Sequence, residues 1–227
     1  MKLLAFDTSC ATVSLALAED GAIKAQKLIA PGEGNRQESI TLLIPGVEEL
    51  TKSLGWQPKD LDLVVVGVGP GSFTGLRIGV VTARSMAQAL EIGLFSLSTF
   101  DCLESLIDEP SGFILDGGRG HYFVSAKEIE PCVMSETQLS ETILENENLI
   151  WHHFKSDNAI TNSRAKPLPE IENMAACLAS IAFKNLEIQN KTRLELKTQF
   201  PYKSVRPLYL REASVTLKKN PAHARKN

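Results

Sequence analysis

Cysteine is scarce in this chain, and its four copies, Cys10, Cys102, Cys132 and Cys177, stand far apart. None forms a C-x-x-C pair, so neither a zinc cluster nor a disulfide framework is indicated, and a reducing compartment is the expectation. The four histidines include no His-x-x-x-His pair, and the adjacent His152 and His153 cannot share one helix face as metal ligands. No Ser/His/Asp set can be picked out. No apolar run is long enough to span a bilayer. Lys2 to Phe6 already read as a strand running into Asp7, so no leader peptide is expected. The expectation is a cytoplasmic protein without membrane contact. A formal net charge of −3 supplies no global field to draw in nucleic acid. The one basic cluster, Lys218, Lys219, Arg225 and Lys226, reads first as a solvated tail.

What is present is enough for a globular core. Hydrophobic residues make up 43% of 227, which suits one large domain or two small lobes. The most informative stretch is Val64 to Gly79, V-V-V-G-V-G-P-G-S-F-T-G-L-R-I-G: an apolar strand, a glycine-rich elbow, then the opening of a helix. Gly67, Gly69 and Gly71 permit backbone angles closed to other residues, Pro70 stiffens the turn, and Ser72 or Thr74 can cap the helix. A phosphate-binding Walker loop needs Gly-Lys-Ser/Thr at its end, but Gly75-Leu76-Arg77 stands there. The glycine spacing does not match a dinucleotide fingerprint either.

Periodicity orders the rest. Leu3–Phe6, Thr12–Ala18 and Ala22–Ile29 read as a three-strand meander, with Asp20-Gly21 as the first hairpin turn. A helix is expected from about Gln37 to Leu54, with Ile40, Leu43, Val47, Leu50 and Leu54 on its apolar face and Leu42, Gly46, Glu49 and Ser53 opposite. Pro45 inside it predicts a kink or a later start. Leu61–Val66 is the next strand, Thr74–Leu90 the next helix and Leu94–Leu97 the fifth strand. The order βββαβαβ is that of the ribonuclease-H-like, actin-like ATPase half-domain, an α/β fold that often comes as two related lobes. Phe113–Asp116, a turn at 117–120 and His121–Ala126 repeat the opening pattern, followed by helices at Ser135–Asn146 and Leu168–Asn185. Signals are weak at 150–167 and 186–206. The expected division is a first lobe over 1–105, a smaller, reduced second lobe over 106–206, and a C-terminal segment over 207–227 that partly returns to the first lobe and ends in the basic tail.

Two features carry candidate chemistry or binding. Asp7-Thr8-Ser9 stands where actin-like ATPases place a phosphate-contacting turn, and Asp116-Gly117-Gly118 is its counterpart; each also reads as a turn bonding its own backbone. A working ATPase of this fold needs a glycine-rich adenosine segment late in the chain, and none follows Gly117-Gly118. In the second helix, Gly75, Gly79, Ala83 and Ala87 recur every fourth residue, with Leu76, Val80 and Leu90 alongside. Such a stripe of small residues either packs on the chain's own sheet or forms a helix docking face for another protein, joined by the first helix.

The residues together resemble the bacterial TsaB family. The resemblance rests on Gly69-Pro70-Gly71-Ser72-Phe73-Thr74-Gly75-Leu76-Arg77-Ile78-Gly79, on Asp7-Thr8 and Ser98-Thr99 after the first and fifth strands, and on Pro207-Leu208-Tyr209-Leu210-Arg211. It covers residues 1–100 and 205–212 and is poor between them. Ser39 stands where the family often has histidine, and His121 and Phe123 depart from its D-x-R-x-G-E-x-Y pattern. The resemblance implies a non-catalytic subunit, not an enzyme by itself, in the formation of threonylcarbamoyladenosine beside the anticodon of tRNA. It implies pairing with a catalytic, metal-bearing TsaD-like subunit, joined by a TsaE-like ATPase, through Leu42, Gly46, Glu49, Ser53, Gly75, Leu76, Gly79, Val80, Ala83 and Ala87. ATP or ADP at the partner interface, tRNA contact through the complex, and a homodimer of the isolated chain through the same helices stay open. No metal or cofactor is assigned to the chain itself. The alternative is an actin-like ATPase or small-molecule kinase acting alone through Asp7 and Asp116. An older family label, glycoprotein peptidase, finds no nucleophile–base set here.

Overall fold

In the computed structural model, residues 1–31, 41–153, 165–185 and 190–210 are described. Ile40, Ser39, the start of the first expected helix, Arg211 and the basic tail lie outside them.

Two five-stranded sheets are built on one plan. In the first, β1 (Lys2–Asp7), β2 (Val13–Glu19) and β3 (Ala22–Ile29) form an antiparallel meander, and β4 (Leu63–Gly67) and β5 (Gly93–Leu97) add in parallel, in the order β3-β2-β1-β4-β5. In the second, β6 (Ser111–Gly118), β7 (His121–Ala126) and β8 (Ile129–Ser135) repeat the meander, and β9 (Ile150–His153) and β10 (Ala165–Pro167) repeat the parallel extension, in the order β10-β9-β6-β7-β8. β8, β9 and β10 carry no expectation from periodicity; β9 and β10, of four and three residues, are too short to show one.

Central strands of the first sheet are buried on both faces, so they read as continuous apolar runs rather than alternating ones. Leu4, Phe6, Val64 and Val66 face α1 (Leu43–Ser53) and α2 (Phe73–Leu90), which cover one side. The start of α1 puts Pro45 in its first turn, where a missing N–H costs no helix bond. Leu43, Val47 and Leu50 are its buried face. α2 ends at Glu91, which takes the left-handed conformation at φ 55°.

The opposite face of this sheet presents Leu3, Ala5, Ala16, Ala18, Leu63 and Val65. Its cover comes from far along the chain: α5 (Met174–Lys184) lays Ala175, Leu178, Ala179 and Ala182 against it. Small side chains on both surfaces let helix and sheet approach closely. The Ala175 N–H donates to the Ser14 hydroxyl at 3.1 Å and the Asn173 amide donates to the Leu15 carbonyl at 3.3 Å, anchoring the helix start on β2. The helix expected over Leu168–Asn185 therefore starts six residues later, at Met174, behind an Asn173 cap, and although it lies within 106–206 it belongs to the core of the first sheet.

The reciprocal exchange occurs after β5. The short helix α3 (Thr99–Glu104), opened by a Ser98–Asp101 capping box, inserts Phe100 and Leu103 among Phe113, Leu115 and Phe123 of the second sheet. The other face of that sheet packs under α4 (Glu136–Glu145) around Trp151. Finally α6 (Arg193–Gln199) and the segment to Leu210 run back along the first sheet, where Phe200 meets Phe95 edge-on at 5.1 Å.

Candidate functional site

β1 and β4 run parallel, with Phe6 paired to Val66, so the Asp7-Thr8-Ser9 turn and the glycine-rich elbow emerge side by side at one sheet edge. They are fastened together. The Ser72 N–H donates to the Ser9 carbonyl at 2.7 Å, and the Thr8 hydroxyl donates to the Gly75 carbonyl at 2.8 Å. Within the turn, the Ser9 N–H and hydroxyl both donate to Asp7 Oδ1, at 3.0 and 2.7 Å. Ser72 caps α2 by accepting from the Gly75 N–H.

This geometry corrects the role of the elbow glycines. Of Gly67, Gly69 and Gly71, only Gly69 has a left-handed φ, 99°. The rest of the glycine signature serves close approach: a Cβ on Gly75 or Gly79 would run into the Thr8 carbonyl or hydroxyl oxygen. The helix is seated on the β1 turn by its lack of side chains.

The stripe therefore faces inward. Gly75, Leu76, Gly79, Val80, Ala83 and Ala87 are all buried against the first sheet, so these residues of the expected partner-binding set are core residues. Gly46 is also inward, with Ile29 and Leu15 where its Cβ would be. Only Leu42, Glu49 and Ser53 of that set are exposed. Glu49 is paired with Lys27 of β3 at 2.5 Å, and the Ser53 hydroxyl donates to the Leu50 carbonyl. The physical reason is that a four-residue period marks a stripe without fixing its direction, and a Gly/Ala stripe suits a sheet as well as a partner helix.

The outward face of the same two helices carries bulkier apolar groups that the periodicity left unassigned. Ile44 is 50% exposed, Ile78 37% and Val81 61%, beside Leu42 at 46%. Phe73, Thr74, Arg77, Ile78, Val81 and Thr82 line a shallow depression of about 410 Å³ on α2. Its rim is braced by the C-terminal segment. The Leu208 N–H donates to the Val68 carbonyl at 2.8 Å, Tyr209 packs on Phe73 with ring centroids 4.7 Å apart, and Arg77 lies over the Phe73 ring. These contacts place Pro207-Leu208-Tyr209-Leu210 against the glycine elbow, which the sequence spacing could not show.

On the other side of the elbow, a cleft of about 540 Å³ between the sheets is lined by Asp7, Cys10, Thr12, Ser14, Thr99, Leu103, His153, Glu170 and Glu172 among others. Asp7 is 2% exposed there. Burial pushes its carboxyl above the usual range, opposed by the two Ser9 bonds. The lining includes no lysine or arginine among the described residues. The hydroxyls of Thr8 and Ser9, expected at a phosphate, are both donated within the protein. The counterpart Asp116 is exposed and its Oδ1 accepts from the Gly118 N–H at 2.7 Å, an Asx turn. No group of three His, Cys, Asp or Glu is placed to hold a metal ion, and no helix is long and apolar enough to cross a membrane, among the described residues.

Comparison with known proteins gives a consistent picture. Residues 23–183 match the model of the family described as TsaD, tRNA N6-adenosine threonylcarbamoyltransferase. The chain is 33% identical over 99 residues to the tRNA threonylcarbamoyladenosine biosynthesis protein TsaB of Escherichia coli K12, covering 44% of this chain and 41% of that one. It is 31% identical over 126 residues to the protein of the same name from Bacillus subtilis 168, covering 54% and 53%. The chain thus spans about half the length of the curated relatives it matches. The fold is shared with the crystal structure of an uncharacterized Pseudomonas aeruginosa protein similar to peptidase YeaZ, with a TM-score of 0.66, 18% identity, and coverage of 92% of this chain and 99% of that one.

Proposed function

Since the chain belongs to the tRNA N6-adenosine threonylcarbamoyltransferase (TsaD) family, on its TsaB branch, we propose that it is a non-catalytic subunit in the formation of threonylcarbamoyladenosine in tRNA. In this reading it docks on a TsaD-like catalytic subunit and stabilises it, and a TsaE-like ATPase joins the pair. ATP or ADP at the joint interface and tRNA contact then belong to the assembled complex.

The observation that carries the proposal is the outer face of α1 and α2. Two helices on one side of a sheet leave Leu42, Ile44, Ile78 and Val81 exposed, and the inner face of α2 is seated on the β1 turn. Exposed apolar groups gathered on one surface mark a place for a partner. The earlier expectation of a two-helix contact is kept, moved from the buried stripe to the residues flanking it. The same face gives the isolated chain a route to a homodimer.

Purified chain mixed with a TsaD-like partner is expected to co-elute from a sizing column. Val81→Asp is expected to weaken that association at least tenfold, read by titration, because it puts a charge in an apolar contact. Its own stability should change by no more than about 0.5 kcal/mol, as for other exposed substitutions. Absence of a complex at micromolar concentrations, with or without nucleotide, overturns the proposal. Steady ATP turnover by the isolated chain, lost in Asp7→Ala, would replace it with the autonomous ATPase reading.

A further inference from the structure

A further hollow lies where α3 crosses the second sheet. About 560 Å³ opens between α3, the loop at 107–110 and the turn that joins β7 to β8, a size within the range of small-molecule sites, about 300–1,000 Å³. Its floor is apolar. Phe100 of α3 and Phe113 of β6 are buried there, with Ile107 and Ile129 half-buried beside them. Its walls are acidic. Asp101 and Glu104 stand three residues apart on α3, Asp108 and Glu109 follow in the loop, and Glu130 of β8 lines the hairpin side. Five carboxylates thus line the hollow against one lysine, Lys127. Glu109 pairs with Lys166 at 3.6 Å and Asp101 accepts from the Ser98 N–H, whereas Glu104, Asp108 and Glu130 enter no ion pair among the described residues. Burial and the nearby Asp101 charge push the Glu104 carboxyl above its usual range, so a cation beside it is favoured.

A polar group at the floor points to a ligand. Ser125 of β7 pairs with Phe113 of β6, so its side chain lies on the same face of the sheet. Ser125 is 3% exposed and lines the hollow, and its hydroxyl makes no hydrogen bond among the described residues. The Ser111 hydroxyl on the same wall, by contrast, donates to the Glu109 carbonyl at 3.0 Å. A buried hydroxyl without a partner is costly, and the hollow is the side from which a partner reaches Ser125.

We propose that this hollow binds a linear aliphatic polyamine, its ammonium groups against the acidic walls and its methylenes on Phe100, Phe113 and Ile129. This goes beyond the role in tRNA modification and does not depend on it. The Ser125 hydroxyl accepts from one ammonium group. Carboxylates on both sides call for positive charge at both ends of the ligand, and the apolar floor between them calls for a hydrocarbon spacer. A divalent metal ion fits less well, because it gathers its oxygen ligands around one point, and no three of these side chains are placed to do so among the described residues.

The test titrates spermidine into the full chain by calorimetry, with butylamine and magnesium as comparison ligands. The expected result is one saturable site, weakened as salt is raised, with butylamine binding at least about tenfold more weakly for want of its second charged contact. Glu104→Gln combined with Glu130→Gln removes one charge from each wall and is expected to lower affinity by about tenfold or more. Both residues are exposed, so the melting temperature should not move. Ser125→Ala is expected to lower affinity about fivefold, and Glu145→Gln, exposed on α4 outside the hollow, to leave it unchanged. Should Ser125→Ala fail to fold, the double variant decides. No binding at millimolar spermidine, magnesium displacing spermidine at equal charge concentration, or wild-type affinity in the double variant or in folded Ser125→Ala overturns the proposal. A lysine-rich peptide that binds where spermidine does not overturns it in favour of a protein ligand.

Discussion

Among the described residues, no lysine or arginine lines the cleft at Asp7. Its Oδ1 receives two bonds from Ser9, yet burial dominates and raises its pKa above 3.8. Between 3.8 and that raised value the native state binds more protons than the unfolded chain. The contribution of this group to stability is therefore fully present below about pH 3.8 and is lost as pH rises through the native value. Asp7→Asn keeps the acceptor for Ser9 and removes the titration. The variant is expected to gain in stability relative to wild type as pH rises from 4 to 7. Urea unfolding at several pH values checks this, and a difference independent of pH would show that Asp7 does not titrate differently in the two states.

At the scale of the element, α2 is defined by what its inner stripe omits. A methyl on Gly75 meets the carbonyl oxygen of Thr8, which is backbone and cannot swing aside. Gly75→Ala is expected to cost about 1–3 kcal/mol by overpacking, seen as a lowered Tm, whereas Ser85→Ala on the exposed face should be near neutral. The sequence made the stripe visible but not its direction, because α2 has apolar residues on both sides: Leu76 and Val80 within, Ile78 and Val81 without. The long elements, β1 to β5 and α2, were legible from their apolar runs and the Ser72 cap. The six residues of α3 and the four of β9 were not, because neither is long enough to show a period. The buried carboxyl of Asp7 was legible as a turn residue, but its solvation was not, since the cleft wall at Glu170 and Glu172 comes from distant chain. The bracing of Phe73 by Tyr209 was likewise out of reach of local pattern.

For the whole molecule, the exchange of α3 and α5 makes the two sheets interdependent. A fragment of residues 1–105 keeps all five strands of the first sheet and the helices of one face, but lacks the cover of Leu3, Ala5, Ala16, Ala18, Leu63 and Val65. It is expected to bind a hydrophobic dye and to melt without a cooperative transition, followed by circular dichroism. A sharp melt of that fragment would mean that the α5 contact is dispensable. The link between Ser14 and Ala175 joins residues 161 apart in the chain. During translation at roughly 5–20 residues per second, the face that α5 will cover stays open for several seconds after the ribosome has finished its strands. The nascent chain is thus most exposed to holding chaperones midway through its synthesis, and a slow codon cluster placed just before α5 would lengthen that interval.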